Sequence, residues 1–437
     1  MRAIGTCEKA RKFYFSENIP EGVTRFFEII DWLDRNGDIV NLGNLFHDEE
    51  AWWILSEQSR KLIPHSSFID FFWTCRFLHM PIWQVIMSRH RMPPAKMYHS
   101  LCTGYAGAIS SLAARKHGAS LMLTEHGIYT KERIMEITQA DWIYEPETRY
   151  FEYSAEGRRL KEIWIKLFEF LGAMTYQSSR SITSLFDGNA RLQIEFGAPP
   201  GKIQIIPNGI RVERFNAARD QRLSRQVQNP KDCVVGFVGR VVPIKDVKTL
   251  LRAAEMLVSR LPTVRFEFFG PTEEDPEYYA ECMEMVLVMK LTQKVTFHGM
   301  TAVEDAMARI DVMVLTSISE GQPLVMLEAF AAGIPVVATD VGSCRELING
   351  RTPEDRSIGR AGLLTGISSP VETSVALNEL LISRERQNRM GEAGRQRVEQ
   401  FYRQEDIMTW YRDLYGLMMR PVPVRNVPDQ SLEGAVS

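Results

Sequence analysis

Glu320 and Glu328 stand eight residues apart in the run "TSISEGQPLVMLEAFAAGIPVVATDVGS". The first acid falls in a loop after the strand-like "DVMVL". The second falls inside an apolar, small-residue helix pattern, where a carboxylate needs a partner because burying it unpaired is costly. A sugar or ribose diol is one such partner. The structural alternative makes Glu328 a cap on a neighbouring loop and leaves Glu320 solvated. Pro323 suits the first turn of the helix. The turn Gly321, Gln322, Pro323, Leu324 therefore presents backbone amides at a helix N-terminus, a ready anion site.

A second constellation is "GRVVPIK", which places Gly239, Arg240 and Lys245 just after the strand pattern "VVGFV". In an open α/β sheet the loop after the first strand borders the ligand crevice. Two cations there can neutralise a diphosphate without a metal. Either base alone reads better as part of a solvated loop. The domain carries no G-x-G-x-x-G, which disfavours dinucleotide binding and hence an oxidoreductase. It also carries no D-x-D to hold a metal on a diphosphate, so no cofactor and no metal are expected.

The third is "TEHGIYTKER". An apolar strand pattern ends in Glu125, His126 and Gly127. Gly127 allows close backbone approach of a ligand, and His126 can donate to a hydroxyl or phosphate near neutral pH. Tyr129, Lys131 and Arg133 could bind hydroxyls or phosphate. The alternative is a cap on the next helix, with Tyr129 packed beneath it.

The elements that would hold these residues follow from periodicity. Residues 1 to about 95 read as helical, and the aromatics Phe71, Phe72, Trp73, Phe77 and Trp83 as a core stripe. From about 96, "KMYHSLC", a small-residue helix and "ASLMLTEHG" form a βαβ unit, which implies a parallel sheet. "TYQSS" reads as a short strand, "RSITSLFDGNARLQIEFG" as a helix, and "KIQIIPNGI" as a strand. The polar stretch 207–232 reads as an interdomain linker. After it, strands and helices alternate as in a doubly wound α/β domain.

Composition sets the outer limits. The chain has 437 residues, enough for two or three domains. Its 52 basic and 55 acidic residues leave a net charge of −3, which argues against a nucleic-acid partner. The cysteines Cys7, Cys75, Cys102, Cys233, Cys282 and Cys344 are scattered without a C-x-x-C, as in a reducing, cytoplasmic compartment. No apolar run is long enough to span a bilayer.

Taken together, "GRVVPIK", "FFGP", "FHGM" and the Glu320-x7-Glu328 run resemble the family 4 retaining glycosyltransferases. "IIPNGI" is similar to the segment closing that family's N-terminal domain. "FYRQEDIMTWYRDLYGLMM" is similar to the helix that crosses back to it. The resemblance implies an α/β GT-B fold, two Rossmann-like doubly wound domains facing a cleft. The N-terminal domain would comprise 1–210, completed by a helix at about 401–418. The donor domain would comprise 231–400, and 419–437 would be a disordered tail. Residues 98–144 further resemble the cytosolic glycosyltransferases of Pel exopolysaccharide synthesis, the PelF type, whose machinery sits at the bacterial inner membrane.

The resemblance implies retaining hexosyl transfer from a nucleotide sugar, UDP-glucose or a related UDP-hexose, to a glycan acceptor. Inner-membrane polysaccharide synthase subunits would be partners. Arg240 and Lys245, beside Gly239, would bind the diphosphate. Glu328 would hold the ribose. Glu320, with Gly321, Gln322, Pro323 and Leu324, would contact the donor sugar and phosphates, as nucleophile or as orienting group. His126 would touch the donor sugar or assist the acceptor, with Glu125, Gly127, Tyr129, Lys131 and Arg133 on the acceptor side. The family normally opens with a strand and a Gly-rich loop. This chain opens with "MRAIGTCEKARKFYF", so the N-terminal domain is expected to lack its first strands and to leave a sheet edge uncovered. A donor-binding but catalytically weak subunit of a synthase complex, or a transferase for another glycan, are the rival expectations.

Overall fold

The computed structural model describes residues 19–36, 49–64, 67–140 and 155–420. The chain divides into two compact units. One comprises residues up to Thr183, Gln193–Gln204 and the chain from Asp413; the other comprises Ser184–Leu192 and Ile205–Arg412.

In the first unit, helices α1 (Ile19–Asn36), α2 (Glu49–Leu62) and α3 (Phe68–Ser88) precede β1 (Met97–Ser100) and α4 (Gly104–His117). There follow β2 (Ser120–Glu125), α5 (Tyr129–Gln139), α6 (Ala155–Ser178), β3 (Ser181–Ser184), α7 (Asp187–Glu195) and β4 (Ile203–Ile205), of which Ser184, the α7 residues up to Leu192, and Ile205 are counted with the second unit. The sheet runs β1-β2-β3-β4, and β1 pairs parallel with β2 from Met97↔Ser120 to Ser100↔Leu123. Among the described residues β1 is an edge strand. The first residues of the chain, where the missing strand was sought, lie outside the described residues, as does the expected tail from 421.

The apolar core of this unit joins α1, α3, α4 and α6. On α3 the buried stripe is Phe71, Cys75, Leu78, Ile82 and Ile86, at helical spacing. The aromatic stripe read from the sequence is thereby corrected. Trp73 and Phe77 are 46% and 54% exposed on the opposite face, because their spacing from the core positions rotates them outward. Helices α4 and α6 approach so closely that a side chain at Gly107 would meet Thr175 Oγ1 at 2.3 Å. The "TYQSS" stretch is helical to Ser178, and the strand is instead "SITS", which the sequence reading had placed in a helix. All four residues of that strand are buried, so Ser and Thr hide a fully interior strand whose polarity masks its pattern.

In the second unit, β5 (Cys233–Val238), α9 (Val247–Val258), β6 (Val264–Phe269), α10 (Pro276–Val288), β7 (Val295–Phe297) and α11 (Val303–Arg309) alternate regularly. They continue with β8 (Val312–Leu315), α12 (Leu324–Ala331), β9 (Val336–Thr339), α13 (Cys344–Asn349), α14 (Pro353–Ser357), β10 (Gly362–Thr365), α15 (Pro370–Leu381) and α16 (Arg384–Phe401). The order β10-β9-β8-β5-β6-β7 is parallel throughout, and it reverses direction between β5 and β8. Crevices form at such a switch point, beyond the strands' carboxyl ends. The loops after β5 and β8 carry Lys245 and Glu320. A final helix, α17 (Gln404–Met418), is divided between the units at Arg412.

The stretch 207–232 is not a linker. It contains a short turn, Val212–Phe215, and helix α8 (Asn216–Gln228), both within the second unit. Helix α8 buries Arg222 and Gln226 beside Ala218, so it has no apolar stripe for hydrophobic periodicity to find. Arg222 donates to the carbonyls of Ala332 (3.2 Å) and Gly333 (3.0 Å), just past the C-terminus of α12, where cations are favoured. Arg225 and Gln226 both donate to the buried Asp311, whose other oxygen accepts from Val234 N.

Candidate functional site

The switch-point loops are laced together by backbone and hydroxyl bonds. Thr316 Oγ1 donates to the carbonyls of Lys245 and Asp246, both at 3.0 Å, and Ile318 N donates to Ile244 O at 2.9 Å. Asp246 takes a left-handed backbone (φ 45°) and caps α9, accepting from Thr249 N and Oγ1. Ser368 Oγ adds a bond at 2.8 Å. This frame sets Lys245 Nζ 2.5 Å from Glu320 Oε1, with the two side chains 19% and 11% exposed. Beside them Gly239 N donates to Phe269 O. Gly270 (φ 137°) must be glycine, since a Cβ would sit 2.1 Å from Gly239 O.

The turn after Glu320 is fixed from below. Ser343 N donates to Gly321 O at 2.9 Å. At Gly342 (φ 54°) a Cβ would meet Glu320 O at 2.3 Å. Gln322 is buried and accepts from Asn208 N at 2.6 Å through its side-chain oxygen. Pro323 precedes α12, whose first residue, Leu324, is half exposed. Glu328 lies one turn further along. Among the described residues its carboxylate has no hydrogen-bond or ion-pair partner. Burial pushes its pKa up, the Arg214 charge pulls it down, and Glu304 pushes it up again. Arg214 is itself paired with Glu304. Arg240 is 54% exposed and paired with the equally accessible Glu274 at 2.9 Å.

Thus the structure brings Lys245 and Glu320 together, keeps Glu328 uncommitted, and leaves Arg240 at the surface. Sequence reasoning missed Arg214, Glu304 and Asp246. Only Asp246 had a local signal, as the residue after "GRVVPIK" and before a helix. Among the described residues the buried hydroxyls of Ser317 and Ser343 flank the turn without a hydrogen-bond partner.

The first unit treats its polar stretch differently. Glu125 is fully buried and accepts from Tyr176 Oη (2.7 Å), Gln193 Nε2 (3.0 Å) and Thr103 Oγ1 (3.4 Å). Burial pushes its pKa up against these bonds. The carboxylate expected on the acceptor side is engaged by interior donors. Tyr129 starts α5 and packs its ring edge-on against Phe168, with Arg133 above it and the floor of Gly104 below. Arg133 pairs with Glu136. At Gly127 a Cβ would lie 2.4 Å from Glu132 Oε1, the end of an exposed side chain that can swing away. His126 and Lys131 are exposed. Behind them His99 bridges Thr124 Oγ1 and Tyr415 Oη, both at 2.8 Å, and burial lowers its pKa.

Residues 232–382 match the family of group 1 glycosyl transferases. Residues 4–201 match a domain of unknown function, DUF3492. The D-inositol 3-phosphate glycosyltransferase of Rhodococcus erythropolis is 32% identical over 184 residues, 40% of this chain and 42% of that protein. The corresponding protein of Kribbella flavida is 34% identical over 157 residues, 34% of this chain and 37% of that one. The chain therefore spans less than half the length of these curated relatives. Among solved structures, Anabaena HepE in complex with UDP and glucose superimposes with a TM-score of 0.56 at 17% identity, covering 77% of this chain and 81% of HepE. Sucrose-phosphate synthase of Thermosynechococcus elongatus gives 0.58 at 20% identity, covering 78% of each. The fold of the chain is GT-B. The switch-point loops and Glu328 fall within the matched residues 232–382. No group of three or more metal-ligating side chains occurs among the described residues, and no described helix is long and apolar enough to cross a membrane.

Proposed function

We propose that the protein is a retaining glycosyltransferase that moves a hexosyl unit from a UDP-linked donor to a bacterial exopolysaccharide of the Pel type. The observation that carries this reading is the Lys245–Glu320 pair, with an uncommitted Glu328 eight residues on. A cation, a carboxylate and a helix N-terminus meet at one turn. That set suits a diphosphate joined to a polyol. The UDP and glucose held by HepE support the choice of donor.

In this reading the leaving diphosphate faces Lys245, Arg240 and the first amides of α12, whose charge and dipoles are fixed before the reaction begins. Preorganised groups of this kind stabilise charge as the sugar carbon becomes oxocarbenium-like. Lys245 exchanges Glu320 for phosphate, which leaves the Glu320 carboxylate for the donor sugar. Glu328 accepts from the ribose hydroxyls, and the Arg214 charge favours its carboxylate against the burial that raises its pKa. His126 is assigned to the acceptor. No metal takes part. Synthase subunits at the inner membrane receive the glycan.

Calorimetric titration with UDP tests the donor assignment. Lys245→Ala and Glu328→Ala should each weaken binding by roughly tenfold to 100-fold, the loss of a charge-assisted hydrogen bond. Unchanged affinity in both variants would remove the donor site from these loops.

A further inference from the structure

Helix α3 is apolar on two opposite faces. Over 21 residues it carries two charged side chains, Asp70 and Arg76. One face packs into the core of the first unit through Phe71, Cys75, Leu78, Ile82 and Ile86. The other repeats Ile69, Trp73, Phe77 and Met80 at helical spacing, all of them exposed. Helix α2 extends this face with Trp52 and Trp53. Ring contacts join the two helices into one surface. Trp52 and Phe72 lie 5.8 Å apart between centroids, Phe72 and Trp73 5.7 Å, and Trp73 stacks on Phe77 at 5.7 Å. Trp52, Trp53, Ile69, Trp73 and Phe77 are each between 46% and 64% exposed. A helix that is apolar all round is normally buried on both sides.

Those five side chains leave on the order of 500 Å² of apolar surface open to water, near the upper end of what a monomer exposes in one patch. A standard interface buries about 800 Å² per partner, so the patch supplies more than half of one. Charge selects the occupant. Helices α2 and α3 carry four acids against three bases, so they offer an anionic bilayer no excess of positive charge. That balance suits a face that pairs with itself. Asp70 and Arg76 stand three residues to either side of Trp73, and the Arg76 guanidinium lies 5.7 Å from the Trp73 ring. Two antiparallel α3 helices related by a two-fold axis at Trp73 have Asp70 of each copy level with Arg76 of the other. The aromatic row then fills the centre, where large rings contribute most to binding.

We infer that the exposed face of α2 and α3 is the interface of a two-fold symmetric homodimer with Trp73 at its centre. The test is sedimentation of the full chain over a series of micromolar concentrations. The natural chain, of 50.0 kDa, should sediment with twice its own mass. Trp73→Glu should raise the dimer dissociation constant at least ~100-fold, and so should Ile69→Glu, a second variant at an exposed position. Both should keep the circular dichroism spectrum of the natural chain, because neither side chain belongs to the core stripe. Asp70→Arg sets arginine level with arginine and should weaken the dimer about tenfold, while Asp70→Arg/Arg76→Asp should restore it. The inference is overturned by a natural chain that stays monomeric throughout, or by a dimer undiminished in both glutamate variants. Failure of the double reversal to restore the dimer would overturn the two-fold arrangement. A monomeric natural chain that floats with vesicles of phosphatidylcholine and phosphatidylglycerol would overturn it too and assign the face to a lipid surface.

Discussion

Strands β2 and β8 both deliver a glutamate just at or beyond their carboxyl ends, yet the two acids have opposite fates. Glu125 is enclosed by neutral donors, and burial raises its pKa. Glu320 meets the cation of Lys245 and remains partly open to solvent. The difference lies in the partner. Neutral hydrogen bonds fix a carboxylate in place but leave its charge uncompensated in a low dielectric. A lysine compensates the charge and can later exchange its acid for a phosphate. One acid is enclosed by the fold, and the other is ion-paired and still reached by solvent.

Removing Glu125 breaks that contrast most directly. Glu125→Ala should lower stability by about 3 kcal/mol, because Tyr176 and Gln193 are left as buried donors without an acceptor. Denaturant unfolding measures this, and a loss below ~1 kcal/mol would mean the network is not structural. Next in size, His126→Ala should reduce turnover roughly 100-fold while UDP affinity stays within about threefold, if the exposed histidine serves the chemistry. Normal transfer by this variant would leave the first unit without its reacting group.

A pH series sharpens the comparison further. The folded-state pKa of Glu125 lies above its ordinary value of 4.5, so the folded chain holds this proton more tightly than the unfolded one. The associated stability is complete below pH 4.5 and is lost as pH rises through the raised value. Glu125→Gln keeps the acceptor oxygen without the titration, so its melting temperature should gain on the natural chain as pH rises. A constant gap would refute the raised pKa. The smallest effect is expected at Arg240. Its exposed pair with Glu274 resembles surface ion pairs of little net worth, so Arg240→Ala should weaken UDP binding only about threefold, against the larger loss at Lys245.

Much of the second unit was legible because its strands are apolar and its helices periodic. The run from Cys233 to Thr339 announces alternation, and "SEGQPLVMLE" announces a loop, a helix start and two acids. Where buried positions are polar the pattern failed. Strand β3 is Ser-Ile-Thr-Ser, and α8 buries Arg222 and Gln226 to hold Asp311 and the end of α12. Neither has an apolar stripe, so nothing distinguished them from a helix and a linker. On α3 the aromatics were visible, but which of them faced inward depended on the helices packed against it.

The sequence by itself determined the kinds of group available and the spacing of Glu320 and Glu328, because both sit within one loop-and-helix segment whose geometry is local. It determined the parallel α/β class through alternation. Only the tertiary structure decided which acids are spent. Lys245 reaches Glu320 across 75 residues, and Tyr176 and Gln193 reach Glu125 across 51 and 68. Whether a charge is neutralised, buried or left for a ligand depends on what the fold brings beside it, and that is a property of the strand order rather than of any motif.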